Sequence, residues 1–195
     1  MTAALDLPDK QEWTVDDLAT LPKDLRYELI DGRLLLPSPT ALHQDIGVRV
    51  LMALEVACPP DLMVVLDLSL KVDRRNEPRP DVLVIKPDHV NVTPLPVHDA
   101  VLVVEVISAG SHFRDMYAKT KIYAAAGVEH YWVIDPLFED GMVLTHFRRG
   151  DSGEYELVTS TDGVFVTDVP YPVTVDLPEL TQRRKAMLER ARPDS

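Results

Sequence analysis

A glutamate stands in the middle of the valine-rich run VLVVEVI, residues 101–107. Period-two alternation puts Glu105 on the same strand face as Val103 and Ile107. A carboxylate on a buried strand is costly unless it is ion-paired, hydrogen-bonded or bound to a cation. A lysine or arginine partner would satisfy it, and so would a metal. Asp81 shifts the balance toward the metal, because it opens the run DVLVI directly after Pro80, at a strand mouth. Two neighbouring strands that each bring one acid to the same end can hold one hard cation, Mg²⁺ or Mn²⁺. Taken alone, Asp81 would read as a strand-entry aspartate beside a proline.

Lys119 is the candidate positive charge. Asp115, Lys119 and Tyr123 follow at four-residue intervals and so share one helix face. As a surface Asp–Lys pair they would matter little. Turned toward the Glu105 strand, the ammonium could stabilise charge on a scissile phosphate or help deprotonate an attacking water. In that arrangement it should lie near both carboxylates, and Lys119→Met should leave the fold nearly intact. Tyr123 reads as a packing residue whose hydroxyl is free to orient a polar neighbour. Glu28 in YELIDG and His43 in ALHQD are further polar residues in apolar or helix-opening contexts, and His43 by itself reads as a helix-surface residue. The six histidines show no HxxxH or HExxH spacing, which leaves a zinc peptidase without support. Neither GxSxG nor GxxxxGK[ST] occurs, which removes the usual hydrolase elbow and the P-loop.

The elements that must position these residues follow from periodicity. WTVDDLATLP reads as a short helix capped by Thr14 with Asp17 three residues on. YELIDGRLLLP reads as a hairpin turning at Asp31-Gly32. Ile46, Val50, Leu54 and Ala57 recur at helical spacing over residues 40–58, which Pro59-Pro60 ends. MVVLDLSLKV and DVLVI read as strands, and VLVVEVI as a central strand buried on both faces. FRDMYAKTKIYAAAG reads as a helix stopped by Gly127, and HYWVID as the next strand. MVLTHFRR, EYELVTS and GVFVTD read as antiparallel strands, and residues 179–192 as a closing helix. The sum is one α/β domain over residues 1–195, a mixed sheet with a β-rich C-terminal part.

With 195 residues the chain suits one domain with a full core. It carries no apolar run near the ~20 residues that span a bilayer, and its first residues lack a secretory signal. The one cysteine, Cys58, forms neither an internal disulfide nor a thiolate cluster. These features point to a soluble cytoplasmic protein with no membrane partner. The net charge of −12 argues against tight non-specific DNA binding, although a local basic cluster or a metal can reverse the field inside a cleft.

Together, YELIDGRLLLPSP with the His43-Gln44 helix start, RPDVLVI, LVVEVIS and RDMYAKTKIYAAAGVEHYWVIDP resemble the Uma2 family of restriction-endonuclease-like proteins in the PD-(D/E)xK nuclease superfamily. Pro80-Asp81 matches the superfamily's "PD". The resemblance implies a restriction-endonuclease-like core, a central mixed sheet flanked by helices. It implies Asp81 and Glu105 as ligands of Mg²⁺, or of Mn²⁺ as a substitute, with the Val106 backbone carbonyl as a third. The superfamily lysine two residues after the glutamate is Ile107 here, and the resemblance points to Lys119 in its place. Glu28, His43 and Tyr123 would be accessory, Glu28 as a second acid and His43 as a general base. The expected activity is a metal-dependent endonuclease acting on DNA, as a homodimer if both strands are cut. The alternatives are a non-catalytic binding or regulatory module on the same fold, and an RNA or nucleotide phosphodiesterase.

Overall fold

The computed structural model describes residues 10–22, 25–108, 110–111 and 114–191. Its first elements are local ones. In α1 (Val15–Leu18), the Thr14 N–H and hydroxyl both donate to the Asp17 carboxylate, at 2.8 and 2.7 Å, which fixes the helix start. Strands β1 (Glu28–Ile30) and β2 (Arg33–Leu35) form the expected hairpin. Asp31 and Gly32 adopt φ of 48° and 74°, the left-handed pair that a tight two-residue turn needs. Helix α2 (Ala41–Glu55) starts at Thr40, whose hydroxyl accepts the His43 N–H at 3.2 Å.

The expected strand over MVVLDLSLKV is two. β3 (Met63–Leu66) joins the main sheet, whereas β4 (Leu70–Lys71) pairs in parallel with β6 (Leu95–Pro96). The break falls at Asp67, at φ 52°, where the backbone leaves the extended region. Its N–H donates to the Asp81 carbonyl, and its carboxylate is held by Arg26 and Arg79.

The main sheet orders its strands β10-β9-β8-β7-β5-β3. β5 (Val82–Ile85), β7 (Ala100–Val106) and β8 (His130–Asp135) make its centre, with β9 (Val143–Arg149) and β10 (Tyr155–Thr161) beyond. β7 and β8 are parallel and every other neighbouring pair is antiparallel, so the sheet is mixed. The parallel pair of this sheet is joined by α3 (Lys119–Ala125), since parallel strands need a crossover. Gly127 stops that helix at φ 87°. Its approach differs from expectation. Arg114–Ala118 wind as a π-turn and regular α geometry begins at Lys119; Phe113, which opens the expected helix, lies outside the described residues.

The C-terminal part departs in one respect. GVFVTD forms β11 (Val164–Thr167), which leaves the main sheet and pairs antiparallel with β12 (Val173–Asp176), a strand that the sequence pattern left undetected. Two prolines, Pro170 and Pro172, separate them and obscure the alternation. Helix α4 (Leu177–Arg190) starts at Asp176, which accepts the Glu179 N–H at 2.9 Å.

Strict alternation sorts the central strands into two cores. Val82, Val84, Leu102, Val104, Trp132 and Ile134 face α2 and the β11–β12 ribbon. Leu83, Ile85, Val103, Ile107, Tyr131 and Val133 face α3. Among the described residues, no helix is long and apolar enough to cross a membrane. Leu102, fully buried in β7, should lose about 2–5 kcal/mol when cut to alanine. Leu157→Ala, at a position 62% exposed on the edge strand β10, should stay within about 0.5 kcal/mol in the same urea titrations.

Candidate active site

The register that builds the sheet also builds the site. β5 runs antiparallel to β7 with Val82 opposite Val104, which sets Asp81 opposite Glu105. Alternation places both on the face that α3 covers, with Leu83 and Val103 beside them. Asp81 and Glu105 line one cavity of about 120 Å³, together with Glu28, His43, Asp115 and Lys119.

Asp81 is fixed by two neighbours. Its Oδ2 accepts the Val106 N–H at 2.7 Å, and its Oδ1 lies 2.8 Å from His43 Nε2. The capped first turn of α2 delivers that imidazole, so His43 is a partner of Asp81 and no surface residue; its side chain is 13% exposed. Burial alone would lower the His43 pKa, but the hydrogen bond and charge of Asp81 outweigh it and raise the pKa above the usual histidine value.

Below this pair lies a cluster with one cation and three acids. Lys119 Nζ contacts Glu28 Oε1 at 2.8 Å, Glu105 Oε1 at 2.9 Å and Asp115 Oδ1 at 3.5 Å. Tyr123 donates its hydroxyl to the same Glu105 oxygen at 2.8 Å. All five side chains are buried. Burial pushes the Glu105 pKa well up; Lys119 opposes this, and Asp115, Asp81 and Glu28 add to it. Asp115 is raised for the same first reason. Burial would lower Lys119, but Glu105, Glu28 and Asp115 hold it charged, with its pKa well above the ordinary lysine value.

Two expectations therefore change, and the alternative of a surface Asp115–Lys119 pair falls away. Lys119 reaches Glu105, but its second close partner is Glu28, and no ion pair joins it to Asp81 among the described residues. Asp115 is not half of a surface pair but a buried member of the cluster, on the same inward face as Lys119 and Tyr123. Lys119→Met would leave three buried acids without their cation, so it cannot leave the fold nearly intact.

The rim is of opposite character. Arg26, Arg79 and Arg114 also line the cavity, and the Arg26 and Arg79 side chains are 60% and 25% exposed against 3% for Lys119. Arg26 and Arg79 share Asp67, while the buried Nε of Arg114 has no hydrogen-bond partner among the described residues. Arg26 and Arg114 escaped the reading of the sequence; a lone arginine has no periodic signature, and only the fold gathers them.

The donor set fits a hard divalent cation. Each Asp81 oxygen carries one hydrogen bond and keeps a lone pair. Both donors to Glu105 among the described residues fall on Oε1. The Val106 N–H points toward Asp81, and a strand residue turns its carbonyl to the same side, past the end of β5. Asp81 and Glu105 belong to no trio of His, Cys, Asp or Glu ligand atoms within 4.8 Å of one another among the described residues. The remaining positions would fall to the carbonyl, water and a ligand's own oxygens, the pattern that Mg²⁺ accepts.

The comparisons with known proteins decide the family. The Uma2 family, described as "Putative restriction endonuclease", matches residues 15–177. The chain belongs to the Uma2 family. No curated protein matches it. Among solved structures it is similar to one described as "a putative nuclease belonging to DUF820 from Anabaena variabilis". The two superpose with a TM-score of 0.66 at 17% identity, over 87% of this chain and 97% of the other. At that identity the likeness shows the fold alone, and the Uma2 chain shares the fold of that protein.

Two measurements check the electrostatics of the site. Lys119→Met should destabilise the protein by about 3–5 kcal/mol, whereas Lys121→Met, at the neighbouring exposed position, should stay within about 0.5 kcal/mol. The second is pH-dependent. A carboxyl whose folded pKa is raised binds its proton more tightly folded than unfolded, so it costs stability as pH rises above its unfolded value, near 4.5. The stability of Glu105→Gln relative to wild type, both in chelator, should therefore grow from pH 4.5 upward. A difference that shrinks with pH would contradict the raised Glu105.

Proposed function

We propose that this Uma2 protein is a divalent-metal-dependent endonuclease that hydrolyses phosphodiester bonds in DNA. The observation that carries the reading is the pairing of Asp81 and Glu105 on adjacent strands, facing one cavity, with an acidic floor and an arginine rim. The Uma2 membership and the nuclease fold support it. Asp81, Glu105 and the Val106 carbonyl would hold Mg²⁺, with Mn²⁺ as a substitute. A cation bound there lowers the pKa of a coordinated water and neutralises charge that builds on the phosphate.

The remaining chemistry belongs to the chain's own groups. His43 Nε2 donates to Asp81 and so steadies that carboxylate, which leaves Nδ1 as the ring nitrogen that would take up a proton if His43 acts as the general base. Lys119 and Tyr123 grip Glu105 Oε1 and so fix the carboxylate that lines the cavity. Glu28 anchors Lys119 from the other side and also accepts the Arg79 N–H at 3.0 Å. Lys119 is thus a positioning residue first, and its charge would also help stabilise the reacting phosphate. Arg26, Arg79 and Arg114 would receive flanking phosphates, which reconciles the substrate with a net charge of −12. Cleavage of both strands would take two chains related by a two-fold axis.

The test is cleavage of plasmid and single-stranded DNA, with RNA in parallel, in Mg²⁺ or Mn²⁺. Wild type should cut DNA only with metal, Asp81→Asn should be inactive, and His43→Gln should lose about 10²-fold or more in turnover. Cleavage of RNA alone would replace the DNA substrate. A wild type inert on every substrate with either metal would overturn the enzyme and favour a binding module on the same fold.

A further inference from the structure

The connection from β5 to β7 makes two short 3₁₀ turns, Pro87–His89 and Val97–Asp99. They bring His89, His98 and Asp99 together beside the Ile85–Ala100 pairing, at the far ends of the two strands from Asp81 and Glu105. The Asp99 side chain is 2% exposed, and its ion-pair partners among the described residues are the two imidazoles, with no arginine or lysine. His89 Nδ1 lies 2.7 Å from Asp99 Oδ2, and His98 Nε2 lies 3.6 Å from Oδ1. The rings meet edge-on, at 86° with centroids 5.8 Å apart, so they converge on the acid without stacking on one another. One ligand atom from each of the three lies within 4.8 Å of the other two.

We propose that His89, His98 and Asp99 form a second metal site, separate from the acidic cavity and suited to a borderline transition ion of the zinc class. Two imidazoles and a carboxylate are donors that Zn²⁺ takes readily, whereas Mg²⁺ keeps to oxygen. Bonds of ~2.0–2.2 Å around a tetrahedral ion set its ligand atoms roughly 3.3–3.5 Å apart. The His98–Asp99 spacing is already close to that. His89 must exchange its hydrogen bond for a metal bond, moving its proton to Nε2 and retreating by about half an ångström. At 43% exposed the His89 side chain has room to do so, and His98, at 72%, leaves the outer side of the site open to water. The ion would pin both ends of the 86–99 connection against each other. It would thereby brace β5 and β7 where their ladder shifts register.

The test is calorimetric titration of the full chain with Zn²⁺, after chelator treatment and with Mg²⁺ in excess to compete at oxygen-only sites. One Zn²⁺ should bind per chain, and His98→Gln and Asp99→Asn should each weaken it at least ~10-fold. Asp81→Asn should leave it unchanged. His98 is exposed, so His98→Gln keeps the test open if Asp99→Asn does not fold. Absence of stoichiometric Zn²⁺ binding to wild type would overturn the proposal. So would binding that survives His98→Gln, or that disappears in Asp81→Asn, because the ion would then sit elsewhere.

Discussion

The ammonium of Lys119 is the interaction on which the rest of the site depends. Among the described residues it is the one cation paired with Glu28, Glu105 and Asp115, three acids that arrive from the N-terminal hairpin, the central strand and the π-turn before α3. Three ionised carboxylates packed out of water around one charge cannot all be stable. The cluster settles by keeping the lysine charged and holding Glu105 and Asp115 toward their protonated forms. The same ammonium orients Glu105 and locks α3 to the sheet, so the electrostatics of the site and the packing of the fold are one arrangement.

Above that floor the sheet supplies geometry that no single element could. Antiparallel pairing of β5 and β7 sets Asp81 across from Glu105, and the extension of β7 past the end of β5 offers the Val106 main chain to Asp81. Helix α2 contributes only its first turn, through His43. Its remaining length packs Ile46, Val50 and Leu54 on the opposite face of the sheet. The acids thus sit on the best-supported strands, while the arginines that could meet a ligand stand at the rim. Asp67 ties two of those arginines together from a left-handed backbone position.

Much of this was legible in the residues. Glu105 inside a valine run, Asp81 after a proline and Asp31-Gly32 between apolar runs each obey a short-range rule, and each stands where that rule puts it. The one-sided helix face of Asp115, Lys119 and Tyr123 was also visible, but its direction was not. Period alone cannot say whether a charged face meets water or other charges. Likewise His43 looks like a surface residue until α2 is docked beside Asp81, and Arg26, Asp67 and Arg114 carry no local signature at all. The β12 strand was hidden by its prolines and by pairing in a separate ribbon. What stayed unreadable was largely tertiary: which polar groups the topology gathers, and where β4 and β12 leave the main sheet to pair elsewhere.

The central claim, that one buried ammonium balances several acids, is tested most directly by a double-mutant cycle between Lys119→Met and Glu105→Gln, read by urea denaturation in chelator at neutral pH. The two sites touch at 2.9 Å, so their effects should not add. The double variant should be more stable than Lys119→Met alone, with a coupling of about 0.5–3 kcal/mol, because neutralising Glu105 removes an acid stranded by the loss of its cation. Losses that simply add, or a double variant less stable than Lys119→Met, would contradict the account.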